Sequence, residues 1–91
     1  MREIILDGGK IDNKEQLHAF LKEELKLPDY YGGNLDALWD ALTGYASMPL
    51  MIRWVKFQES EAKLGEYSRL VLELFQEAEN EMEGFQLRME P

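Results

Sequence analysis

Cysteine is absent from this 91-residue chain, which excludes disulfides, thiolate nucleophiles and cysteine-ligated zinc. Long apolar runs are missing as well. None approaches the roughly 18 residues that a membrane-spanning helix needs, and the opening Met-Arg-Glu lacks the pattern of a secretory leader. A single histidine, His18, leaves no second imidazole, and no serine sits in a nucleophile-elbow context. Positive charge is the scarcest property. Ten Lys and Arg stand against 18 Asp and Glu, a net charge of −8, which opposes direct binding to nucleic acid or to a membrane surface. The shortage is also local. Residues 27–52 and 70–87 contain no Lys or Arg, while Asp29, Asp36 and Asp40 fall in the first stretch and Glu73, Glu77, Glu79, Glu81 and Glu83 in the second. These absences lead to the expectation of a cytoplasmic protein without cofactor or metal. Its acidic surface either keeps it soluble or meets a basic partner.

What is present suffices for one domain spanning residues 1–91. With 45% hydrophobic and 11% aromatic residues, the chain can bury about 60–70% of its unfolded surface in a single core. Ile4, Ile5 and Leu6 read as a strand buried on both sides, closed by a turn at Asp7-Gly8-Gly9 that lacks the Lys-Ser/Thr of a phosphate loop. Asn13 with Gln16 three residues on imitates a capping box for a first helix whose core face is Leu17, Phe20, Leu21 and Leu25. Pro28 blocks its continuation. After a second helix, residues 50–55 form a strand entered through Met48-Pro49, and a short helix or turn ends near Gly65. Ser68 is placed to cap a long final helix with Val71, Leu74, Phe75, Ala78 and Met82 on its core face, ended by Gly84. Phe85, Leu87 and Met89 alternate with polar residues, as an edge strand does. Helical crossovers make the strands parallel. The fold class is therefore α/β, a small three-stranded parallel sheet packed with about four helices, and the apolar first strand is expected at its centre.

The second helix carries the functional signal. Asn34 can cap it, and Leu35, Leu38, Trp39 and Leu42 fall on one apolar face over residues 35–43, with Gly44 placed as a left-handed cap. Asp36 and Asp40 lie four apart on the other side, where like charges cost about 0.2–0.5 kcal/mol. Asp40 also stands near the helix C-terminus, where the macrodipole disfavours an anion by roughly 0.3–1 kcal/mol. Local stability does not explain these carboxylates. Two acids on one helix, without further ligands, make neither a metal site nor an acid–base pair, and His18 beside Leu17 and Leu21 reads as a structural histidine. Tyr30, Tyr31, Trp39 and Tyr45 crowd around the aspartates instead, which is the composition of a protein-binding surface. Trp54 reads as a core or rim residue.

The stretch LPDYYGGNLDALWDALTGY, following LHAFLKEELK, closely resembles the barstar family of intracellular inhibitors of barnase-like ribonucleases, and the resemblance runs from the first strand to about Ala78. It implies a non-enzymatic immunity protein, monomeric when free, that forms a 1:1 complex with a cognate basic ribonuclease and whose carboxylates take the place of RNA phosphates. Carried over by position, Asp40 would be the central anion, Asp36 would lie in the base-recognition region, and Glu77 would add a peripheral ion pair. Tyr30 would pack on the enzyme's active-site histidine, while Asn34, Trp39, Thr43, Gly44 and Tyr45 would line the contact. The resemblance also suggests a cis Met48-Pro49 bond. The chain departs from the family's best-known member at Tyr45, where that protein has tryptophan, at Gly33, where it has glutamate, and at Ala41, where it has cysteine. An acidic adaptor that kept the fold and binds a different basic partner is the alternative.

Overall fold

The computed structural model describes residues 2–91. The chain runs β1 (Arg2–Asp7), a 3-10 turn (Gly8–Lys10), α1 (Lys14–Glu24), α2 (Leu35–Gly44), β2 (Leu50–Val55), α3 (Phe57–Leu64), α4 (Glu66–Glu81) and β3 (Phe85–Glu90). All strand pairs are parallel, because each connection passes through helices long enough to return the chain to the same end of the sheet. The peptide bond between Met48 and Pro49 is cis.

The strand order is β1-β2-β3, so β2 is central and β1 is an edge, contrary to the expectation from the Ile4-Ile5-Leu6 run. The reason lies in which face is covered. Ile4 and Leu6 are buried, but Ile5 between them is 49% exposed. β1 is therefore buried on one side only. On the inner face Ile4 stands beside Ile52 and Leu6 beside Trp54, and Leu50 beside Phe85. On the outer face, Arg53 of the central strand meets Glu3 of β1 at 3.2 Å and Glu90 of β3 at 2.9 Å. One guanidinium serves a carboxylate from each edge, which suits a central position.

Helix ends follow local chemistry with three corrections. The Gln16 N–H donates to Asn13 Oδ1 at 2.8 Å, and Gln16 Oε1 accepts from the Asp12 N–H at 2.8 Å, a reciprocal cap for α1. Gly44 is not a left-handed cap: α2 continues through it, and the carbonyl of Ala41 accepts from the N–H groups of both Tyr45 and Ala46. Ser68 does not precede α4. It is buried in the first turn, its hydroxyl donating to the Gly65 carbonyl at 2.6 Å, while Gly65 (φ +61°) takes the cap position. The last helix ends at Glu81, with Gly84 (φ +92°) further along in the turn to β3. Its buried side chains Val71, Phe75 and Ala78 pack on the inner face of the sheet's core cluster.

Candidate functional site

Between α1 and α2 the chain has no regular structure. It turns at Pro28, whose carbonyl accepts from the Tyr31 N–H at 3.0 Å, passes Gly33 in a left-handed conformation (φ +66°), and enters α2 at Asn34. Asn34 Oδ1 accepts from the Ala37 N–H at 2.8 Å, as a helix cap should. The loop lies close over the helix: a Cβ on Gly32 would come within 3.2 Å of Ala37 Cβ. Ala37, Ala41 and Gly44 recur at helical spacing, and these small residues leave room between loop and helix. The result is an open groove of about 380 Å³, with Leu27, Pro28, Tyr31 and Gly32 on the loop side, Tyr30 and Tyr45 at its margins, and Asp40 among its lining.

The groove brings together Tyr30, Asp40, Gly44 and Tyr45 of the expected contact residues, with Tyr31 of the same aromatic group beside them. Tyr30 is 85% exposed and Tyr45 55%, far more than core aromatics tolerate. Asp36 is exposed but lies in the first turn of α2, outside the lining. There it faces the positive end of the helix dipole, so only Asp40 is electrostatically misplaced. Trp39 is half-buried against the core, and the exposed Thr43 hydroxyl donates to the Trp39 carbonyl at 2.8 Å. Glu77 is exposed on α4 and does not line the groove. Sequence reasoning did not assign Leu27, Pro28, Gly32, Ala37 or Ala41 to the site. The spacing of Ala37, Ala41 and Gly44 was the available sign.

The model of the barstar family, described as barstar (barnase inhibitor), matches residues 1–90. This chain belongs to the barstar family. A protein of Bacillus subtilis (strain 168) named "Putative ribonuclease inhibitor YrdF" is 51% identical over 82 residues, 90% of each chain. The barstar-family fold here is the three-stranded parallel sheet with its helices, and the groove sits between α2 and the loop that precedes it. Among the described residues no three His, Asp or Glu side chains converge as a metal centre, and no helix is long and apolar enough to cross a membrane.

Behind the groove, this barstar-family chain buries its one histidine. His18 is 4% exposed, and its ring nitrogens lie 2.7 Å from the Tyr31 hydroxyl and 2.6 Å from the Tyr67 hydroxyl. Burial holds the imidazole below its ordinary value of 6.5, opposed by Glu15 and reinforced by Lys14. Burial also pushes the Tyr31 hydroxyl up to about 12 and Tyr67 upward. All three groups are neutral at neutral pH. Because the folded protein binds this proton less readily than the unfolded chain, stability is full above about pH 6.5 and declines as the pH falls towards the folded value. Glu90, held below its ordinary value by Arg53, loses its contribution only at more acidic pH, as the pH falls below 4.5. Urea denaturation between about pH 7.5 and 5.5 should therefore show a decline owed to His18. A flat profile would mean that the ring is not held neutral.

Proposed function

We propose that this chain is a cytoplasmic, non-catalytic inhibitor of a barnase-like ribonuclease, whose acidic groove occupies the enzyme's basic RNA-binding site in a 1:1 complex. The observation that carries the reading is Asp40 lining one groove with the exposed Tyr30 and Tyr45, in which the whole lining falls within the Lys- and Arg-free residues 27–52. A carboxylate there offers arginine and lysine side chains the charge-assisted contact they otherwise make with phosphate. Family membership and the name of the Bacillus relative support the same reading. Asp40 is the central anion and Tyr30 packs on the enzyme's catalytic histidine. Tyr45 and Gly44 border that contact, and Asp36 extends it towards the base-recognition region. Asn34, with Oδ1 committed to the helix cap, presents its amide N–H groups. Thr43 and Trp39 complete the surface around them, and Glu77 adds a peripheral ion pair.

The experiment is an inhibition titration against guanyl-preferring, barnase-like ribonucleases. Stoichiometric inhibition is expected, through an interface of about 800 Å² on this partner. Association should slow as salt is raised, because a negative face steers into a positive groove only while its field is unscreened. Absence of inhibition at micromolar concentrations would refute the reading, and on-rates indifferent to salt would remove the steering.

A further inference from the structure

The buried histidine touches the groove from behind. His18 belongs to α1, Tyr31 to the loop before α2, and Tyr67 to α4. The ring centroids are 5.8 Å and 6.0 Å apart and the planes tilted by 48° and 73°, so the contacts run through nitrogen and hydroxyl rather than through stacked faces. A neutral imidazole has one N–H to donate and one bare nitrogen to accept, and a tyrosine hydroxyl can do either. The bridge therefore uses every polar atom of the ring, and no buried side-chain polar atom among the described residues lacks a partner. On the far side, Lys14 Nζ lies 5.7 Å from the centre of the Tyr67 ring.

The loop has few other anchors. Leu27 is buried at its start and Asn34 caps α2 at its end. Between them the other side-chain tie is Lys22, 3.4 Å from the Asp29 carbonyl and 3.8 Å from a fully exposed Asp29 carboxylate, a class of contact that holds little. Tyr30, 85% exposed, directly precedes the anchored Tyr31 in the chain. In a loop without regular structure, the exposed Tyr30 ring stands next to the part-buried Tyr31 hydroxyl, and the middle of the loop takes its position from that hydroxyl.

We infer that His18 and Tyr67 are positioning residues for the groove: the Tyr31–His18–Tyr67 bridge ties the loop to α4 and holds Tyr30 in the geometry that grips the ribonuclease. This rests on the inhibitor reading above. Tyr67 does not line the groove, so it acts on the partner only through the bridge. When the bridge is broken, the loop samples other positions, and the apparent affinity falls by the fraction of time it is binding-competent.

Tyr67→Phe removes one hydroxyl and keeps the ring. In the free protein, amide hydrogen exchange at Tyr31, whose N–H is bonded to the Pro28 carbonyl, should quicken about tenfold, while amides at Val71 and Phe75 hold their protection. Tyr31→Phe, cutting the same bridge at its other end, should loosen the loop equally and not additively. In the complex, Tyr67→Phe should speed dissociation about tenfold. In a Tyr30→Ala background the same change should have little further effect, since the ring that the bridge positions is gone. Unchanged loop exchange overturns the bridge, whatever the chain inhibits. Equal loss with and without Tyr30 shows a merely structural hydroxyl and overturns the positioning role. If the loop loosens as expected but the unmodified chain inhibits no ribonuclease, the inhibitor reading falls and the role in gripping an enzyme falls with it.

Discussion

Asp40→Ala should weaken the ribonuclease complex by about 2–5 kcal/mol or more, a range to which the barnase–barstar pair itself contributed. That corresponds to roughly thirty-fold to several-thousand-fold in affinity. The cost arises because the enzyme's cation stays buried and loses its counter-charge. The free protein should respond in the opposite direction. Asp40 is exposed, and among the described residues no cation pairs with it. It stands within a turn of the C-terminal end of α2, whose last turn carries no basic residue, and it repels Asp36 one turn earlier. Alanine relieves both effects and raises helix propensity, together about 1 kcal/mol of stabilisation. A purely structural role cannot produce effects of opposite sign. Urea denaturation of the free variant reads one and an inhibition titration the other. A variant that is less stable yet inhibits normally would make Asp40 a scaffold residue.

Trp54→Ala should be the converse case, costing about 3–5 kcal/mol of folding stability. Trp54 is fully buried on the inner face of β2. Its ring meets Phe57 edge-on at 4.9 Å and Phe75 at 5.8 Å, and its indole N–H donates to the buried Ser60 hydroxyl at 2.9 Å. Removing it leaves a cavity too large for these neighbours to close and deprives Ser60 of its donor. Against a total stability of about 5–15 kcal/mol for a domain of this kind, that is a large fraction. Tyr30→Ala is the natural control: the ring is almost wholly exposed, so stability should change by no more than about 0.5 kcal/mol. Denaturant midpoints compare the two directly. A Trp54→Ala protein within about 1 kcal/mol of the parent would show that this corner of the core is not packed as described.

The local geometry of the candidate site was legible because its signals are local. Asn34 caps α2 through an N–H three residues away, and the apolar face of Leu35, Leu38, Trp39 and Leu42 needs only helical spacing to be read. The misplaced Asp40 is likewise a matter of one helix and its dipole. The same locality misled at Gly44, because glycine's freedom suggested a left-handed stop. The helix passes through it, since the Ala41 carbonyl can satisfy the next two N–H groups along.

Composition and periodicity by themselves determined the α/β class, the element order, the parallel sheet and the acidic face with Asp40 and Tyr30 on it, since each depends on residues within a few turns of one another. Only the tertiary structure decided the strand order, the groove and the fate of the histidine. β2 is central because Leu50, Ile52 and Trp54 on it are all fully buried while β1 leaves Ile5 exposed, and Arg53 on its outer face then meets carboxylates 50 and 37 residues away. The Ala37, Ala41 and Gly44 stripe becomes a groove floor only once the loop folds over it. His18 is held by a hydroxyl 49 residues distant. Contacts made across such separations depend on which surfaces meet when the chain collapses, and periodicity within one element carries no record of that.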